Sequence, residues 1–68
     1  MNIAKVEIDY TNWRGERRKR ILLPMTLMWG VSQYHKGDQW LLLAMDCEDG
    51  RTKEFAMNQV HEWKQLEP

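Results

Sequence analysis

Cysteine is nearly absent. Cys47 stands alone, so no disulfide can form within the chain, and a reducing compartment is the expected setting. The two histidines, His35 and His61, share no Cys-x-x-Cys or His-x-x-x-His spacing with each other or with that thiol, so no metal motif is present. Asp46, Glu48 and Asp49 surround Cys47 with a negative field that disfavours a reactive thiolate. A glycine-rich phosphate loop is missing as well. Neither an enzyme nor a bound cofactor is therefore expected. No apolar run approaches the roughly 20 residues of a membrane span, and no basic-then-apolar leader opens the chain. The protein is read as soluble and cytoplasmic, with no membrane partner. Repeats, linkers and low-complexity segments are lacking, so the 68 residues form one domain. The net charge is zero, which argues against a bulk polyanion binder.

A domain this short buries only about 60% of the surface of its unfolded chain. Four Trp, two Tyr and one Phe offset that shortage, since each aromatic can bury roughly 150–250 Å². The central feature is Gln39–Asp46, apolar at both parities from Trp40 to Met45. Trp40, Leu42 and Ala44 would point one way and Leu41, Leu43 and Met45 the other, so the run reads as a strand covered on both faces. Residues 3–10 alternate, with Ala4, Val6, Ile8 and Tyr10 on one side, as a half-buried strand does. Thr11–Gly15 is a turn. Glu16–Leu23 returns as a second strand, which Pro24 breaks or leaves at an edge. Met25–Val31 is a third strand with Gly30 at a bulge, Ser32–Asp38 a polar loop, and Arg51–Met57 a fifth strand after the Glu48-Asp49-Gly50 turn. Asn58 can cap a short helix carrying Val60, Trp63 and Leu66 at spacing three. The expected fold is a mostly β, SH3-like five-stranded barrel closed by a short C-terminal helix. Trp40, Phe55 and Trp63 are expected in its core.

Three groups can recognise a ligand. Most of the positive charge lies in Arg14, Arg17, Arg18, Lys19 and Arg20. On a strand Arg18 and Arg20 share one face, where they can grip phosphates bidentately, while Arg17 and Lys19 share the other. The alternative is a solvated edge that cations protect from pairing. Trp13, in the turn, and Trp29, beside Gly30, are candidates for exposure, where a base can stack on either ring; packing is the competing use of both. Ser32, Tyr34 and His35 place a hydroxyl, a phenol and an imidazole in one loop, which can orient a polar ligand or simply pack on the barrel.

The order of landmarks resembles a known family. Tyr10-x-Asn12-Trp13-Arg14-Gly15-Glu16 is followed by Arg20-Ile21-x-x-Pro24, Trp40-Leu41-Leu42-x-Ala44 and Phe55-Ala56-Met57. In that order, over roughly residues 6–63, the chain resembles a WYL domain, and Trp29-Gly30-x-Ser32 and Tyr34-His35 resemble small stand-alone members from bacteria and phages. The resemblance implies an SH3-like barrel that senses a nucleic-acid or nucleotide-like ligand in regulatory, DNA-damage or anti-phage settings. Usually the domain follows a winged helix-turn-helix, of which these 68 residues hold none. Two positions depart from the pattern. The tripeptide here is Trp40-Leu41-Leu42, without its central Tyr, and Ala56 stands where the family carries an Arg tied to ligand binding. The resulting expectation is a small module binding single-stranded nucleic acid or a nucleotide through Arg18, Arg20, Trp13, Arg14, Trp29, Ser32, Tyr34 and His35. The competing expectation is a protein-interaction module, an accessory or inhibitory subunit whose partner is another protein or a second copy.

Overall fold

A computed structural model describes residues 4–32 and 35–66, and the side chains of Ser32, His35 and Lys36 lie outside the description. Five strands form one antiparallel sheet: β1 (Val6–Thr11), β2 (Arg17–Ser32), β3 (His35–Asp46), β4 (Arg51–Ala56) and β5 (Val60–Gln65). Their spatial order is β4-β3-β2-β1-β5. A three-residue 3-10 turn, Met57–Gln59, joins β4 to β5. In a flat sheet these two edge strands would lie four spacings, about 19 Å, apart. The four Cα steps from Ala56 to Val60 reach at most about 14 Å. The sheet therefore has to curl, and the side chains confirm that it does. Tyr10 on β1 accepts a hydrogen bond at 3.0 Å from the Ala56 N–H of β4, and its ring meets Phe55 edge-on at 5.1 Å.

The expected closed barrel and C-terminal helix are not what forms. No ladder joins β4 to β5 among the described residues, so the curled sheet stays open. The segment expected to be helical instead pairs with β1, from Val6 opposite Gln65 to Tyr10 opposite Val60. A helix of under ten residues is marginal by itself, whereas β1 offers a row of unpaired backbone groups. Asn58 caps nothing: the 3-10 turn begins from Ala56 with no side-chain cap. The open edges bear Arg51, Lys53 and Glu54 on β4 and Glu62 and Lys64 on β5, charges of the kind that keep edge strands apart.

The expected second and third strands prove to be one 16-residue strand, β2. Pro24 marks a shift in register, not an end: Pro24 pairs with Ala44 and Thr26 with Leu43, so one extra residue bulges between them. Gly30 borders a second shift. At the β1–β2 turn, Gly15 has φ +83°, a conformation that costs glycine little and L side chains much.

One core fills the concave side: Val6, Ile8, Tyr10, Leu22, Leu42, Ala44 and Phe55, with Met57 and Val60 packed against it. Leu42 and Ala44 point inward as their parity requires, and Leu41 is buried on the opposite face. Trp40 and Trp63 correct the expected core, being 51% and 46% exposed. The reason lies in the cover. β4 flanks β3 only from Leu41 to Asp46, one residue short of Trp40, and Trp63 sits on an edge strand with one flank open.

Candidate functional site

The β1–β2 turn is built by Asn12. Its side-chain carbonyl accepts from the N–H groups of Arg14 and Glu16, each at 2.9 Å, while its own N–H donates to the Glu16 carbonyl. This clamp holds Trp13 out, 57% exposed, with the Arg14 guanidinium 5.0 Å above its ring. A cation stacked on an exposed indole makes an amphipathic plate at the tip of the hairpin.

The basic stripe on β2 divides between faces as strand parity requires. Arg18 and Arg20 pair with Tyr10 and Ile8, and Arg17 and Lys19 with Thr11 and Asp9. Nearly every cation already has an anion. Arg17 grips Asp9 bidentately at 2.9 and 3.0 Å, Arg18 meets Glu48 at 2.8 Å, and Lys19 lies 4.0 Å from Glu7. The hydrogen bond from Arg17 is the chief reason that the Asp9 carboxyl sits below its ordinary range.

Arg20 goes inward. Its side chain is 11% exposed, reaches Asp46 at 3.1 Å, and lies 6.0 and 5.8 Å from the ring centroids of Tyr10 and Phe55. Asp46 is 1% exposed and also takes Lys53 at 3.2 Å and the Glu48 N–H at 2.9 Å. Burial alone would push its carboxyl up; the Glu48 N–H, Lys53 and Arg20 outweigh that and hold it low. From the sequence, Asp46 reads as the polar end of the central strand and as one of the acids around Cys47, not as a partner of Arg20. The signal available was an Asp between an apolar run and a turn, with Arg and Lys on neighbouring strands.

A group of exposed apolar side chains lies elsewhere. β1 leaves β2 at Leu22, and β4 leaves β3 at Leu41. From there, among the described residues, β2 and β3 pair only with each other and continue as a two-stranded arm. On it Leu27 and Trp29 stand opposite Leu42 and Trp40, so they extend the core face beyond its cover. Leu27 is 53% exposed, Trp29 59% and Val31 67%, and the Trp29 and Trp40 rings meet edge-on at 5.4 Å. The signal missed in the sequence was the stretch Leu23–Ser32, ten residues without a charge. Of the remaining candidates, Tyr34 lies outside the described residues, as do the side chains of Ser32 and His35. Backbone pairing nonetheless puts Ser32 opposite His35 near the end of the arm.

At the other edge, Met57, Val60, His61, Glu62 and Trp63 line a shallow open depression of about 450 Å³. Among the described residues, no three His, Cys, Asp or Glu side chains gather as a metal site, and no helix is long and apolar enough to cross a membrane.

A curled, open antiparallel sheet with an exposed aromatic arm and an internally neutralised basic strand defines a small all-β domain. The model of the WYL domain matches residues 2–65, and the chain belongs to that family, whose members are generally ligand-binding or regulatory domains. No curated protein matches the chain.

Proposed function

We propose that this domain is a non-catalytic regulatory module that binds a protein partner through the apolar face of the β2–β3 arm. The supporting observation is that Leu27, Trp29 and Trp40 continue the core face past the point where β1 and β4 cover it. Exposed aromatics grouped around an aliphatic residue are what protein-binding surfaces are enriched in. An accessory or inhibitory subunit in a regulatory or phage-defence setting suits a module with no chemistry of its own.

A second reading retains single-stranded nucleic acid or a nucleotide as the ligand, favoured by the Arg14–Trp13 stack and the exposed Trp29 ring. Arg18 and Arg20 serve it less well, because a phosphate would have to displace Glu48 and Asp46. Titration separates the two. A fluorescent apolar probe should bind the wild type at any salt concentration and lose most of its signal with Leu27→Glu, while Arg18→Ala leaves the signal unchanged. A short oligonucleotide or a nucleoside triphosphate should give no saturable response. Saturable oligonucleotide binding whose log-affinity falls with log salt, with a slope flattened by about 0.7 for each phosphate contact removed, would establish the second reading instead.

A further inference from the structure

The edge of the arm, as distinct from its face, carries an inference of its own. Beyond Leu22, β2 has no neighbour among the described residues on the side away from β3. Its backbone groups there are open to pairing, and from Leu23 to Ser32 no charged side chain guards them. Among the described residues the other free edges are guarded: β4 carries Arg51, Lys53 and Glu54, β5 carries Glu62 and Lys64, and the uncovered part of β3 carries Asp38. A long uncharged edge is a template for another strand.

We propose that this edge pairs with the same edge of a second copy, antiparallel, about a two-fold axis at Met28. Three observations favour a copy of this chain over a foreign strand. Antiparallel pairing of a strand with itself is two-fold symmetric, and a two-fold axis perpendicular to the sheet keeps each side chain on its own face. The register shifts beside Pro24 and Gly30 bound a regular stretch, Thr26–Gly30, whose midpoint is Met28. Pairing there sets Leu27 opposite Trp29 of the second copy, Thr26 opposite its Gly30 and Met28 opposite its own equivalent, so no position meets a charge. Finally, a net charge of zero leaves no long-range repulsion between copies.

The consequence for function is a larger surface. Edge pairing leaves the faces open, so Leu27, Trp29 and Trp40 of both copies would lie side by side on one continuous sheet. A ladder of five to seven residues is small beside standard interfaces, which places the dimer at the weak, concentration-dependent end of association.

Cross-linking tests the register directly. At the two-fold axis the Met28 Cα atoms would be about 4.5–5.5 Å apart, within disulfide reach. Val31 would lie about 20 Å from its own equivalent, far beyond it. In a Cys47→Ser background, mild oxidation of Met28→Cys should give a covalent dimer, whereas Val31→Cys should stay monomeric. Equal yields from both variants, or none from Met28→Cys, would overturn the pairing. Sedimentation of the unmodified chain should show reversible growth from 8.2 kDa to twice that mass. Leu27→Glu should weaken the dimer at least tenfold while keeping the wild-type circular dichroism; should that variant unfold, Thr26→Glu, exposed on the opposite face, takes its place. A chain that remains at 8.2 kDa up to about 1 mM refutes the dimer but leaves the partner-binding face to its own titration.

Discussion

Asp46 shows how a single residue decides the role of a neighbour. Its carboxylate is buried between Arg20, Lys53 and the Glu48 N–H, so one of the two arginines that parity offered to phosphate is already occupied. Removing one member of a buried pair strands the other, at a cost of about 3–5 kcal/mol. That is a large share of the 5–15 kcal/mol typical of a whole domain. Asp46→Ala should therefore lower the urea midpoint sharply; a midpoint within error of wild type would mean that Arg20 is held by ring contacts alone. The pH dependence follows from the same geometry. The Asp46 carboxyl titrates below its ordinary value of 3.8 in the folded state. Its contribution is thus complete above about pH 4 and lost as pH falls through the depressed folded value. Asp9 and Asp49 are depressed too and act in the same direction. Thermal midpoints should fall below pH 4, and less steeply in Asp46→Ala, which lacks one of the three titrations.

At the scale of elements, β3 is the strand on which the others depend. It pairs with β2 along most of its length and with β4 over Leu41–Asp46, and it sends Leu42 and Ala44 into the core. Leu42→Ala should cost about 2–5 kcal/mol in lost transfer energy and residual cavity. Urea titration followed by circular dichroism would measure it, and an unchanged midpoint would mean that the core collapses around the gap at no cost. β5 shows the opposite case, an element chosen by its surroundings. Val60, Trp63 and Leu66 recur at a helical spacing, but the open edge of β1 recruits the segment as a strand.

Across the whole molecule the aromatic side chains are distributed unusually. Tyr10 and Phe55 fill the core, while all four Trp residues are between 46% and 59% exposed. Unfolding should therefore shift the Trp emission maximum little, even as far-UV circular dichroism collapses. Leu27→Glu provides the test, because association cannot then shield Trp29. A large red shift on unfolding that variant would mean that indoles are sheltered in the folded monomer.

The strands whose pattern is local were legible from residues alone. The alternation of Val6, Ile8 and Tyr10 determined β1 and its buried face. The apolar run before Asp46 determined β3 from Gln39 onward, whereas residues 35–38, expected in a polar loop, prove to be its beginning; Asn12 with Gly15 determined the first turn, because parity and turn chemistry act within a few residues. The overlap of landmark residues with a family pattern also pointed to the family that the chain proved to belong to. Tertiary structure alone decided the rest. Whether Trp40 is core or surface depends on where β4 stops, and whether residues 60–65 are helix or strand depends on the edge of β1. Whether Arg20 is a free cation depends on Asp46, 26 residues away. Each of these is settled by a partner distant in sequence. Hydrophobic periodicity reports which face of a segment is apolar, but what covers that face is determined only when the sheet curls.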